Sequence, residues 1–124
     1  MATILVVDDA QTDRQLMGKI VAACGHKVEY AFDGEEALTK AKGLAPAMVL
    51  LDVVMPKLDG FGVCRRLRKD PATATIKIVL VTSKGSDSDR FWGRQQGADD
   101  HLVKPFTPEQ IRQVIGRMIP GGAK

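Results

Sequence analysis

Five polar residues stand where strand-like runs end, and their types are those that do chemistry. Asp8 and Asp9 follow Thr3-Ile4-Leu5-Val6-Val7, and Asp52 follows Ala47-Met48-Val49-Leu50-Leu51. Thr82 closes the run from Ile76, and Lys104, followed by Pro105, closes the run from Asp99. An ionised carboxylate is costly if buried and unpaired, so Asp52 is expected at a strand's C-terminal edge. That edge faces a solvent crevice, where ligands bind in open α/β sheets. Three carboxylates gathered there would repel one another and raise their own pKa values, and a divalent cation removes that obstacle. Lys104 offers a compact positive charge and Thr82 a hydroxyl donor. A strand-terminal Thr is usually structural, and Asp-Asp often only starts a helix. The information lies in all of them falling at strand ends together.

The elements that must position these residues are legible as alternating patterns. The stretch 47–56, five apolar residues followed by Asp52, Val53, Val54, Met55 and Pro56, suits a strand buried on both faces of a parallel sheet. Residues 3–7 and 76–82 repeat that pattern, 27–31 alternates as a half-buried strand, and 99–103 makes a short fifth strand. Between them lie helical spacings. One begins at Thr12 or Asp13 and carries Leu16, Met17, Ile20, Val21 and Cys24, with Gly25 placed to end it. Another runs from an Asp33 cap to about Leu44, weakened near its end by Gly43. A third follows Asp59-Gly60 with Phe61, Cys64 and Leu67 inward, until Asp70-Pro71 stops it. A fourth starts near Ser86–Asp89 and closes at Gly97, and the last opens with Pro108 at its first position. Five strands alternating with five helices demand parallel neighbours and right-handed crossovers, hence a three-layer α/β sandwich.

Composition narrows the classes. The 124 residues fit one domain, read as 1–120 with a short flexible tail at 121–124. No apolar run is long enough to span a bilayer, and the first eight residues lack a basic leader, so a cytoplasmic location without membrane contact is expected. The net charge of +3 is modest. The basic cluster Arg65-Arg66-Leu67-Arg68-Lys69 has no interleaved aromatic residues, which favours a solvated helix face over a nucleic-acid patch. Cys24 and Cys64 lack metal-ligand spacing and are read as small helix hydrophobes rather than a disulfide. His26 and His101 are too few and too unlike in context for a transition-metal site.

Taken together, the chain resembles a response-regulator receiver domain of the CheY-like family over essentially its whole length. The segments that carry the resemblance are Ile4-Leu5-Val6-Val7-Asp8-Asp9, Leu50-Leu51-Asp52-Val53-Val54-Met55-Pro56, Asp59-Gly60, Val81-Thr82-Ser83, Gly97-Ala98 and Lys104-Pro105-Phe106. The resemblance implies a flavodoxin-like (βα)5 fold with strand order 2-1-3-4-5. It implies that Asp52 accepts a phosphoryl group and that Mg2+ is the cofactor. Asp9 and Asp52 would ligate that ion directly, Asp8 through water, and Val54 through its backbone carbonyl. Thr82 and Lys104 would contact the phosphoryl group. The Lys104-Pro105 bond resembles the family's cis peptide, whereas X-Pro statistics alone favour trans. The donor would be a sensor histidine kinase or a histidine phosphotransfer protein, and the output a protein target reached without direct nucleic-acid contact, by a monomer or weak dimer. The stretch around Trp92 is similar to stand-alone regulators of twitching motility, so motility or chemotaxis is the expected setting. As the chain ends soon after the fifth helix, output is expected through protein contact or as a phosphate sink.

Three rival functions fit the residues less well. A Mg2+-dependent phosphatase or phosphotransferase would need a substrate pocket, and every connection here is short. A nucleotide or flavin binder would need a glycine-rich loop where Asp8-Asp9 stand. A docking module that works unphosphorylated would not need the full set of five polar residues. Three positions remain as tuning candidates. His101 stands where Tyr or Phe is usual in the family, and is either a seam residue or a switch that turns inward with Thr82. Burial on turning would favour a neutral imidazole and make activation pH-sensitive. Val54 and Lys84 flank the expected path of attacking water and should lengthen the phosphoryl lifetime, Val54 by excluding water and Lys84 by shielding.

Overall fold

The computed structural model describes residues 2–120, so the tail expected at 121–124 lies outside the described residues. Five strands, β1 (Thr3–Val7), β2 (Lys27–Ala31), β3 (Met48–Leu51), β4 (Lys77–Thr82) and β5 (Asp100–Val103), alternate with five helices. The helices are α1 (Gln11–Ala23), α2 (Gly34–Leu44), α3 (Gly60–Lys69), α4 (Asp87–Gln95) and α5 (Pro108–Met118). The strands form one parallel sheet in the order β2-β1-β3-β4-β5. This is the flavodoxin-like order, with a switch point between β1 and β3.

Side chains alternate across the sheet with the period of two that strands impose. Leu5, Val7, Val49, Leu51, Ile78 and Leu80 point to one face and pack beneath α2 and α3. Ile4, Val6, Met48, Leu50, Val79 and Val81 point to the other and pack beneath α1 and α5. β3 is therefore apolar throughout and β1 from Ile4 onward, as strands covered on both faces must be. The same parity carries past the strand ends. Asp8, Asp52 and Lys104 continue the face that α1 and α5 cover, and Thr82 continues the opposite one.

Caps set where the helices begin. The Asp33 carboxylate accepts from the Glu36 N–H at 2.8 Å, and Glu36 accepts in return from the Phe32 N–H. Asp59 caps α3 through the Gly62 N–H. Ser86 with Asp89, and Thr107 with Gln110, close reciprocal capping boxes on α4 and α5. α1 departs from the sequence reading. It starts at Gln11, ahead of Thr12 and Asp13, from an Ala10 cap with no side-chain hydrogen bond. The reason is local: the Ala10 N–H donates to Asp8 Oδ1, a short turn that lets the helix open immediately. α2 ends at Leu44, as its spacing predicts, and Ala45 takes the left-handed conformation that stops it.

The basic cluster on α3 is more than a solvated face. Arg68 donates to the carbonyls of Gly97, Ala74 and Ile76 and pairs with Asp99 at 2.8 Å, stapling together the segments that lead into β4 and β5. Cys64 is fully buried, and burial pushes its thiol up to about 11; both cysteines are free. Among the described residues, no helix is long and apolar enough to cross a membrane.

Candidate functional site

Register brings the acidic residues together. Val7 pairs with Leu51, and the Asp52 N–H donates to the Val7 carbonyl at 3.0 Å, so Asp8 and Asp52 emerge side by side from β1 and β3. One carboxylate oxygen from each of Asp8, Asp9 and Asp52 lies within 4.8 Å of the others. Asp8 is fully buried and Asp52 is 6% exposed, whereas Asp9 opens to solvent. Backbone donors hold the two buried groups: Ala10 N–H reaches Asp8 Oδ1, and Val54 N–H reaches Asp52 Oδ1 at 3.3 Å. Arg14 donates to the Asp8 backbone carbonyl at 2.7 Å and lies over the Phe32 ring, so α1 fixes the Asp8 turn from outside.

Lys104 arrives from β5. Its N–H donates to the Thr82 carbonyl at 2.9 Å, and the Lys104-Pro105 bond is cis. The ammonium lies 2.7 Å from Asp8, 2.9 Å from Asp13 and 3.4 Å from Asp52. Burial pushes the Asp8 carboxyl above its ordinary value, against the pull of Lys104 and of the Ala10 N–H. For Lys104, burial alone would lower the pKa, but the bonds to Asp8 and Asp13 and the charge of Asp52 outweigh it and raise it. The crevice is thus an acidic pocket only partly compensated, with the Lys104 ammonium set among four carboxylates, those of Asp8, Asp9, Asp13 and Asp52.

Hard oxygen donors of this kind suit Mg2+, which takes oxygen ligands and keeps several waters. The residues present fit the ion, since three carboxylates from two adjacent strand ends can present oxygens to one point. They would hold it in competition with Lys104, whose ammonium lies 2.7 Å from Asp8.

The remaining positions sit around this centre. Thr82 is fully buried, and its hydroxyl accepts from the Lys84 N–H at 3.2 Å. His101 is already turned inward, at 8% exposure, and its Nε2 donates to the Lys84 carbonyl at 2.8 Å. It therefore ties β5 to the loop after β4, whereas its Nδ1 is buried with no partner among the described residues. Val54 is half exposed beside Asp52. The Lys84 side chain is exposed and forms no ion pair among the described residues. Nothing in the sequence marks Asp13 as part of the site. Its position in the first turn of α1 reads as an ordinary helix-starting acid, and only the packing of α1 beside β5's end brings it to Lys104.

A parallel 2-1-3-4-5 sheet whose β1 and β3 end in a carboxylate cluster and whose β5 ends in a lysine defines a receiver architecture. The model of the response regulator receiver domain matches residues 4–116, and the chain belongs to that family. It is 38% identical over 121 residues to the protein PilH of Pseudomonas aeruginosa, covering 98% of this chain and 100% of PilH. It is 44% identical over 116 residues to the transcriptional regulator ycf27 of Cyanophora paradoxa, covering 94% of this chain. It spans only 47% of that regulator, and about half the length of several curated relatives it matches. Among solved structures, the chemotaxis protein CheY4 of Vibrio cholerae superposes with a TM-score of 0.91 at 34% identity, over 96% of this chain and 99% of that one. The receiver domain of the Pseudomonas aeruginosa sensor histidine kinase PA1611, described with a magnesium ion in its active site cleft, gives 0.87 at 26% identity, over 94% and 96%.

Proposed function

We propose that this receiver works as a phosphorylation-controlled switch in which Asp52 is the phosphoryl acceptor. The observation that carries the reading is the Asp52 carboxylate itself: nearly buried, at the crevice floor, 3.4 Å from Lys104 and beside Asp8 and Asp9. An Asp52 oxygen forms a bond to phosphorus as the donor's phosphorus–nitrogen bond breaks, and the electron pair leaves with the imidazole. Positioning and charge neutralisation do nearly all the work in such a transfer. Asp9 and Asp52 would hold Mg2+ directly, Asp8 through water, and Val54 would add its carbonyl. The bound ion would offset the repulsion between Asp52 and an anionic donor. Lys104 meets a phosphoryl oxygen, and the Thr82 hydroxyl, now turned to the Lys84 N–H, rotates toward another. His101 follows Thr82 by loosening its bond to the loop after β4.

The receiver spans residues 1–120 in this reading. Its donor is a histidine kinase or histidine phosphotransfer protein, and it catalyses only its own phosphorylation and dephosphorylation, in the cytoplasm. Its output is a protein target bound by α4, β5 and α5, where Phe91 and Trp92 are exposed. The likeness to PilH, and to a gliding motility regulatory protein of Myxococcus xanthus at 43% identity over 15% of that protein, favours a motility system. Incubation with acetyl phosphate and Mg2+ tests the site. The intact mass should rise by about 80 Da, one phosphoryl group, and Asp52→Asn should abolish the rise. A stable adduct on Asp52→Asn would remove Asp52 as acceptor.

A further inference from the structure

The contact between Asp13 and Lys104 goes beyond the set of residues the reading above requires. An ammonium has three N–H donors, and here three carboxylates surround it: Asp8 at 2.7 Å, Asp13 at 2.9 Å and Asp52 at 3.4 Å. For Lys104 to meet an anion on Asp52, one of these contacts must be given up or stretched. The three are not equivalent. The Asp8 side chain is fully buried and that of Asp52 is 8% exposed, so neither regains water on losing the lysine. Asp13 is 37% exposed, at the solvent rim of the crevice. Its carboxylate also lies in the first turn of α1, where the helix dipole favours negative charge without help from a lysine. Releasing Asp13 therefore costs least.

We propose that Asp13 is a positioning residue: it holds Lys104 in a resting place at the crevice rim, is exchanged for the incoming phosphoryl group, and so weakens the site's hold on that group. The inference rests on Asp52 carrying the phosphoryl group and Lys104 touching it. Arg14, next in sequence, points the other way to the Asp8 carbonyl, so the exchange leaves the Asp8 turn in place.

Beryllofluoride with Mg2+, a stand-in for the phosphoryl group, tests it by calorimetric titration of the unmodified protein, Asp13→Asn and Asp13→Glu. Exposed to partly buried ion pairs of this kind contribute modestly, so Asp13→Asn should bind beryllofluoride about threefold tighter. Asp13→Glu, which keeps the charge within reach of Lys104, should stay near the unmodified protein. A variant that merely damaged the fold would bind more weakly, so tightening is the diagnostic direction. A crystal structure of the unmodified beryllofluoride complex gives the second readout. Lys104 should lie on a fluorine with the Asp13 contact opened beyond hydrogen-bond reach. Equal affinities for the unmodified protein and Asp13→Asn, or a complex in which Lys104 holds fluorine and Asp13 together, would overturn the exchange while leaving Asp52 as acceptor. Failure of the unmodified protein to bind beryllofluoride would overturn the acceptor reading and this inference with it.

Discussion

The Lys104 ammonium lies 2.7 Å from Asp8 Oδ2, joining the end of β5 to the end of β1 across the intervening β3 and β4. Asp8 is fully buried, and among the described residues its carboxyl pairs with no other cation. Removing the lysine leaves a buried charge beside two more carboxylates, a loss that is large for fully buried pairs and smaller where one side meets water. Lys104→Met should therefore destabilise the fold by about 2 kcal/mol in urea unfolding at neutral pH. Millimolar Mg2+ should recover part of the loss by neutralising the same carboxylates. A variant as stable as the unmodified protein would show the pair to be energetically idle.

The same pair fixes an alkaline limb. The folded Lys104 pKa lies above the ordinary 10.5, so its stabilisation is fully present below that pH and is lost as pH rises through the folded value. The stability difference between the unmodified protein and Lys104→Met should be constant from pH 7 to about 10 and shrink above 10.5. A difference that grew with alkalinity would have the wrong sign.

Gly60 lets α3 start against the loop that carries Asp52. A Cβ there would lie 2.3 Å from the Asp52 carbonyl oxygen and 2.7 Å from Val53 Cα, both backbone atoms that cannot swing aside. Gly60→Ala should cost about 1–3 kcal/mol, the usual range for overpacking, and should slow phosphorylation by shifting Asp52. Gly18→Ala is the control. Its Cβ meets only the Tyr30 ring and hydroxyl, the far end of a side chain that is 38% exposed and can rotate outward. It should leave phosphorylation unchanged.

The His101 bond to the Lys84 carbonyl holds the loop that follows Thr82. His101→Phe keeps the ring's bulk and removes the donor. It should cost about 1 kcal/mol, one hydrogen bond, and speed amide exchange in residues 83–86 while the β4 core amides stay protected. Unchanged exchange in that segment would mean that the bond does not hold the loop.

Phosphoryl lifetime tests the flanking positions. The half-exposed Val54 side chain stands beside Asp52, and Lys84 projects from the loop after Thr82. Val54→Asn with Lys84→Glu should supply a group to hold the attacking water and remove a shielding charge. Decay at fixed Mg2+ and temperature should then run about tenfold faster, or roughly 1.4 kcal/mol in barrier. Equal rates would leave both residues as inert surface.

Much of this site was legible in the sequence because strands advertise themselves. Val6-Val7 and Leu50-Leu51 are unbroken apolar pairs, and the residue after each is the first that can be polar, so Asp8 and Asp52 are marked by position. Parallel order then brings their ends together. What escaped the sequence depends on packing between elements distant in the chain. Asp13 and Lys104 are 91 residues apart, and nothing in the pattern of α1 distinguishes that acid from any helix-starting acid. Arg68 likewise reads as one of a basic run until Gly97 and Asp99 close on it. The inward His101 could be suspected from its place three residues before Lys104, but its partner, a backbone carbonyl, leaves no mark in sequence.

The central claim is that the phosphoryl group is carried by Asp52. Borohydride reduces an aspartyl phosphate to homoserine and leaves free carboxylates untouched, so it marks the acceptor covalently. Protein phosphorylated with acetyl phosphate and Mg2+, reduced and digested, should yield a peptide with homoserine at position 52 and unmodified Asp8, Asp9 and Asp13. Homoserine at any of those three positions, with Asp52 intact, would contradict the account.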